Sequence, residues 1–474
     1  MLNRSIRLAV LTLVAIVTTA ALGRAASAAD EKLPNFVLIF ADDQGYQDIG
    51  CFGSPLIKTP NLDRMADEGR RFTNFYCGAQ VCSASRAALM TGCYCDRVNV
   101  KGVFFPNQTV GLNPNEKTIA EILKPRGYAT ACVGKWHLGH LPEFLPTSQG
   151  FDSYFGIPYS NDMTIDPKMA VSPDVVLREG MTLERLRNEK PTHNKVPLFR
   201  DKQVVEYPAD QSTLTKRYTA EAVDFIRTNK DRPFFLYFPH TMPHVPLFAS
   251  EKFKDTSARG LYGDVIEEMD WSVGQILATL KELGLDENTL VIHTSDNGPW
   301  LSKGAHGGCA LPLRDGKFST WEGGMREPCI MRWPGRIPAG TTCAEIGATI
   351  DLMPTFARLA GARVPDDRKI DGMDIWPLMA GKADVTPPRD TYFFRTAAVR
   401  QGKWKLHLSG RDTVKKRPDQ AFPALYDLSA DIGEDHNVAA ENPEVVARLT
   451  KLLKDHQEDL KANSRPIGQS EKKD

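Results

Sequence analysis

Four stretches of the chain are apolar almost without interruption, at residues 35–40, 128–133, 233–240 and 289–294. Runs of this length that do not alternate predict strands buried on both faces, as in a parallel sheet. Between them the apolar positions recur at helical spacing. Leu62, Met65 and Ala66 share a face behind Pro60, and Tyr218, Ala222, Phe225 and Ile226 share one in a helix predicted over 213–229. Val265, Met269, Val273, Ile276 and Leu277 turn inward from a helix over 262–280. Shorter helices are predicted at 84–90 and 116–124, and another begins at Asp351. Each of the four strands stops at a polar cluster: Asp42-Asp43, Lys135 and His137, His240 and His244, and Asp296-Asn297. A large, mostly parallel α/β sheet flanked by helices gathers such clusters along its C-terminal edge, and four of them point to one site.

Beyond Pro387-Pro388 the pattern changes to short strands at 391–395, 397–408 and 424–428, then a helix over 443–461. This predicts a smaller C-terminal α+β domain carrying an antiparallel sheet. The expected organisation is a leader at 1–28, a main domain at 29–375, a C-terminal subdomain at 376–462 and a charged, disordered tail at 463–474. Residues 166–207 are polar and irregular and read as a surface excursion.

Composition narrows the function. With 59 basic and 59 acidic residues in 474, the chain carries no net charge and lacks the basic surface of a nucleic-acid binder. Arg4 and Arg7 precede an apolar run over 8–22 and the small residues Ala26-Ser27-Ala28. That is the form of a secretory signal, so a periplasmic, extracellular or lumenal protein is expected; the run is short for a stable membrane anchor. Export permits disulfides among the nine cysteines, and the odd count leaves at least one unpaired. Cys93-Tyr94-Cys95 has no second close pair with histidine to complete a zinc pattern.

The candidate chemistry centres on residues 81–92. Cys82 stands at the mouth of a short helix closed by Gly92, Ser83 or Ser85 can cap it, and its first N–H groups suit an anion. Arg86 follows one turn later and can reach the same guest or brace the Cys82 side chain. Asp42 and Asp43 repel one another past the end of a buried strand, so a cation or an arginine is expected between them. Lys135 and His137 share one face of an extended segment and can address one anion.

Cys82-Ser83-Ala84-Ser85-Arg86 followed by Leu89-Met90-Thr91-Gly92 resembles the signature of the type I sulfatases, with Ala84 where proline is usual and Cys93 where a basic residue often follows the glycine. Further blocks resemble the same family, at 134–139, 156–162 and 316–328. The resemblance implies an alkaline phosphatase/sulfatase-like fold and hydrolysis of aryl sulfates or sulfated carbohydrates. It implies that Cys82 is oxidised to formylglycine by a sulfatase-maturing enzyme, with Ala84 bearing on which one. Implied ligands of a divalent cation, Ca2+ before Mg2+, are Asp42, Asp43, Asp296, Asn297 and the modified Cys82. Lys135, His244, Lys317 and Ser160 are the implied sulfate contacts. Arg86 braces the nucleophile, His137 is the implied base, and His244 with Lys317 the implied route of protonation to the leaving oxygen. Two rivals share the scaffold: a phosphomonoesterase or phosphonate hydrolase, and a binding protein whose Cys82 is never converted.

Overall fold

A computed structural model describes residues 32–382, 386–415, 417 and 420–470. The expected leader at 1–28 lies outside the described residues. Five parallel strands form the centre of the main sheet, in the order Thr289–Ser295, Asn35–Ala41, Phe234–Pro239, Ala129–Val133 and Ser153–Gly156. Asn35 pairs with Thr289, Phe36 with Phe235 and Ala129 with Phe234, so the strand ends lie level with one another. From Phe36 to Ala41 every residue is fully buried, as an unbroken apolar run requires. Arg326–Arg332 and Arg70–Tyr76 extend this sheet with antiparallel pairings.

Two groups of helices cover the sheet. Pro60–Asp67, Leu214–Thr228 and Leu261–Glu282 pack on one another, as do Cys82–Thr91, Ile119–Leu123 and Leu352–Ala360. Phe36 of the central strand stacks on Phe356 with ring centroids 4.5 Å apart, which seats the last of these helices on the core. The first of that second group is capped in a way the sequence reading did not foresee. Its N-cap is Val81, with no side-chain cap; Ser83 Oγ accepts from Phe104 N–H and Ser85 Oγ from Gly78 N–H. The two serines fasten neighbouring loops to the helix instead of closing its end.

Three further stretches differ from the expected pattern. Residues 166–207 are no excursion: Val171–Leu177, Leu198–Arg200 and Gln203–Tyr207 are strands that continue the main sheet beyond Ser153–Gly156. The single strand expected over 397–408 is a hairpin of Ala398–Gln401 and Trp404–His407, turned at Gly402 with φ 57°. The tail expected to be disordered from residue 463 carries a strand, Gly468–Gln469, paired with Val110–Gly111, and Arg465 pairs with Glu116 at 2.7 Å.

The second sheet is antiparallel, ordered Thr391–Phe394, Ala398–Gln401, Trp404–His407 and Ala424–Asp427, and the helix Pro443–Asn463 packs against it. It is tied to the main sheet by buried groups. Tyr76 stacks on Tyr392 at 4.7 Å, and Lys405 bridges Glu322 and Glu434 at 2.9 and 3.0 Å. All nine cysteines are free thiols.

Candidate functional site

Each of the five parallel strands delivers its next residues to one place. Asp42 and Asp43 follow Asn35–Ala41, Asp296 and Asn297 follow Thr289–Ser295, and Lys135 and His137 follow Ala129–Val133. His244 comes from the turn beyond Phe234–Pro239, and Ser160 from the loop after Ser153–Gly156. The approach is close because of glycine. Gly134 has φ 128°, and a Cβ there would fall 1.8 Å from Pro239 O, so only glycine lets the turn carrying Lys135 pass the next strand end. Asp43 and His137 hold left-handed backbones, with φ of 64° and 62°. Strain of this kind concentrates at working sites.

Cys82 meets this cluster from the first turn of Cys82–Thr91. Its Sγ lies 3.4 Å from Asp42 Oδ1, 4.0 Å from Asp43 Oδ1 and 3.5 Å from Lys317 Nζ, and the residue is 1% exposed. Burial, reinforced by the Asp42 charge, pushes the thiol far above its ordinary value, so Cys82 is held protonated. An unmodified thiol here is a poor nucleophile.

Three cations face three carboxylates. Lys317 Nζ donates to Asp43 Oδ1 and Oδ2 at 2.7 and 2.8 Å. Lys135 Nζ pairs with Asp42 and donates to Ser160 Oγ at 2.8 Å. Arg86 turns away from Cys82 to Asp296 Oδ2, with Nε at 3.0 Å and Nη2 at 2.8 Å, and Nη1 donates to Lys135 O at 2.7 Å. Burial raises Asp42, but Lys135, His244 and Arg86 together hold it well below the usual carboxylate range. Asp43 goes the other way, up to about 7: burial, with Asp42 and Asp296 beside it, outweighs Lys317.

The two histidines present bare nitrogens. His137 Nε2 lies 3.1 Å from Phe104 O; a carbonyl only accepts, so Nε2 carries the proton and the buried, unpartnered Nδ1 holds a lone pair. His244 Nδ1 lies 2.6 Å from Val245 O and 3.1 Å from Asn161 Oδ1, which puts its proton on Nδ1 and turns Nε2 toward Asp43 Oδ2, 3.7 Å away. Burial lowers both rings well below the ordinary histidine value, with Lys135 adding for His137 and Lys317 for His244. His240 is buried beside Phe238 with both ring nitrogens unpartnered.

The donor set fits a hard divalent cation. Ligand atoms of Asp42, Asp43, Cys82 and His244 lie within 4.8 Å of one another, and Asn297 Oδ1 is buried without a partner while its Nδ2 donates to Asp43 Oδ1 at 2.7 Å. Asp296 stands beside them, its Oδ1 accepting from Asp43 N–H at 3.1 Å. Oxygen donors dominate, which suits calcium or magnesium.

Sequence reasoning left some contributors unassigned. Asn161, inside the block at 156–162, donates to Pro246 O at 2.8 Å and to Gln211 Oε1 at 3.1 Å, so it carries the turn that holds His244. Gln211 has no signal in the sequence. Trp300 packs 5.6 Å from the His244 ring and 4.8 Å from Lys317 Nζ, and no local pattern marks it.

Comparison with known proteins agrees with this geometry. Residues 34–362 match the family model described as Sulfatase, and 314–462 match N-sulphoglucosamine sulphohydrolase, C-terminal. Human arylsulfatase A is 41% identical over 462 residues, covering 91% of this chain and 89% of its own. N-acetylgalactosamine-6-sulfatase of Rattus norvegicus is 38% identical, covering 93% of this chain and 88% of its own. Among solved structures, PsFucS1 sulfatase from Pseudoalteromonas sp. superimposes with a TM-score of 0.80 at 29% identity, covering 94% of each chain. Ps i-CgsB in complex with k-i-k-neocarrahexaose does so with a TM-score of 0.75 at 30% identity, covering 92% of this chain and 94% of its own.

Proposed function

We infer the reaction from one premise: the chain belongs to the sulfatase family and is a sulfuric ester hydrolase. It hydrolyses an aryl sulfate or a sulfated carbohydrate to the free alcohol and inorganic sulfate, with Cys82 in its formylglycine form as nucleophile. The observation that carries this reading is the setting of Cys82. Its side chain points into the cluster, with Asp42 Oδ1 at 3.4 Å, Asp43 Oδ1 at 4.0 Å and Lys317 Nζ at 3.5 Å, so a hydroxyl on the same carbon would stand among the charged groups that a sulfate ester needs. Hydrated formylglycine supplies two hydroxyls on one carbon, one to attack sulfur and one to expel sulfate afterwards. Asp42, Asp43, Asp296 and Asn297, with the modified Cys82, would hold a divalent cation, calcium by preference, which would supply charge neutralisation there.

The chain's own groups divide the remaining work. Lys135 and Ser160, already joined at 2.8 Å, receive nonbridging sulfate oxygens, and Lys317 faces the ester oxygen. In this resting tautomer His244 Nε2 carries no proton, so the proton for the leaving oxygen comes from Lys317 Nζ, with His244 positioned to take part in its return. His137 Nδ1 is the bare base for the hydroxyl that expels sulfate. Arg86 holds Asp296 and the Lys135 carbonyl in register.

A leader at 1–28 would export the protein to the periplasm, the extracellular space or a lumen; no helix among the described residues is long and apolar enough to cross a membrane. A peptide mass spectrum across residues 72–86, taken with an aryl sulfate assay, tests the reading. Conversion of Cys82 to the aldehyde with turnover is the expected result. A fully thiol-bearing protein with undiminished turnover would overturn it.

A further inference from the structure

Two residues beyond Ser160, Asp162 borders space that the hydrolytic groups do not line. Asp162 is half-buried, its Oδ1 is enclosed without a partner, and its carboxyl lies in the field of Lys135 and Lys317. Two cavities meet at this residue. One of about 420 Å³ is lined by Asp162, His193, Asn194, Val245, Lys303 and His306. The other, of about 680 Å³, shares Asp162 and His193 and adds Phe105, Met163, Ile165 and Lys190. Asn194 N–H donates to Asp162 O at 3.1 Å, so the segment at 166–207 is pinned to the wall. Val245, the neighbour of His244, and Lys303 line the smaller cavity, and the Trp300 ring has Lys303 Nζ at 4.2 Å and Lys317 Nζ at 4.8 Å, so this cavity adjoins the reaction centre.

We propose that these adjoining cavities form the leaving-group site and take a sulfated sugar that is part of an anionic oligosaccharide, in preference to an aryl sulfate. Asp162 accepts hydroxyl or amide N–H donors of the sugar whose ester is cleaved. Lys303, with His193 and His306, holds a second sulfate or carboxylate on the neighbouring sugar. The chemistry of the walls decides between substrate classes. An enclosed carboxylate oxygen requires donors, which a sugar ring offers and an aryl ring does not. Beside Val245 and Pro246 the smaller cavity presents an acid, an amide, two imidazoles and an ammonium, partners for the hydroxyls and charges of a sugar, while Phe105, Met163 and Ile165 of the larger one suit the apolar face of its ring. Each cavity falls in the range of roughly 300–1,000 Å³ that holds a whole small ligand, so the pair has room for more than one ring.

The inference rests on the sulfatase reading, and the experiment separates the two. Values of kcat and KM are measured for 4-nitrophenyl sulfate, a singly sulfated monosaccharide and an oligosaccharide bearing a second sulfate, with the formylglycine content of every preparation determined. The expected wild-type order places the oligosaccharide first. Asp162→Asn lowers the ratio of kcat/KM for sugar over aryl substrate by about tenfold or more, chiefly through KM. Lys303→Gln, at an exposed position tolerant of substitution, lowers the ratio of oligosaccharide over monosaccharide about fivefold and flattens its dependence on salt. Unchanged ratios in both variants, or an aryl preference in the wild type, overturn the proposal alone. Converted protein that hydrolyses none of the three overturns the sulfatase reading and this one with it.

Discussion

Arg86 grips Asp296, not Cys82: Nε and Nη2 stand 3.0 and 2.8 Å from one Asp296 oxygen, while the cysteine one turn earlier is left to Lys317. Both partners are fully buried. A lysine at this position reaches Asp296 with a single point charge and loses the fork and the bond to Lys135 O. Arg86→Lys is therefore expected to destabilise the fold by about 3 kcal/mol, read as a lower urea midpoint with an unchanged m-value. An unshifted midpoint would show that Asp296 keeps its place without the guanidinium.

Cys82 separates chemistry from stability. Its side chain is small, buried and fixed by charges that pair with one another, so Cys82→Ala should abolish sulfate-ester turnover and move the Tm by no more than about 3 °C. Residual turnover near the wild-type rate removes Cys82 as nucleophile.

Cation binding should be visible in the fold itself. Calcium at about a hundred times its Kd adds roughly 2.7 kcal/mol to the stability of a protein that binds it only when folded. Titrating calcium and then magnesium into chelator-treated protein in a thermal melt is expected to raise the Tm more steeply for calcium. Asn297→Ala, which removes the unpartnered Oδ1, should weaken that response. An equal response in the variant takes Asn297 out of the ligand set.

His456 makes the junction of the two sheets acid-sensitive. It stacks on Phe393 at 3.8 Å and meets Tyr94 edge-on at 4.9 Å, and burial lowers it to about 4 even though Asp371 and Asp459 pull upward. The folded-state value lies below the ordinary 6.5, so the unfolded chain takes up the proton first. Stability from this group is complete above pH 6.5 and is lost as pH falls toward 4, roughly 3 kcal/mol in all. His456→Phe should flatten the urea midpoint over that window. Identical profiles for variant and wild type would assign the acid sensitivity elsewhere.

The parts of this architecture that announced themselves in the sequence are those fixed by short-range rules. The Asn35–Ala41 and Thr289–Ser295 strands read as buried because every position is apolar, and the carboxylates past their ends mark the sheet edge that carries the site. The helix at 261–282 came within two residues at each end from its apolar spacing alone. What escaped depends on contacts across the chain. Ser83 and Ser85 have ordinary capping chemistry, and only the nearby Phe104 and Gly78 N–H groups divert them. Of the strands within 171–207, Val171–Leu177 is half exposed and Leu198–Arg200 and Gln203–Tyr207 are too short to show a buried run; Leu198–Arg200 pairs with the edge that Ser153–Gly156 offers, and the others add to it in turn. The pairing of Gly468–Gln469 with Val110–Gly111 spans most of the chain between two residues on each side, and no local pattern records it.

The depth of Cys82 also sets a schedule. It is 1% exposed once the sheet closes over it, and closure needs Asp296 and Lys317, which are synthesised after it. At roughly 5–20 residues per second, the chain between Cys82 and Asp296 takes on the order of 10–40 s to appear. On the proposed reading, an enzyme that oxidised Cys82 would have that interval, and whatever delay folding adds, in which to reach it.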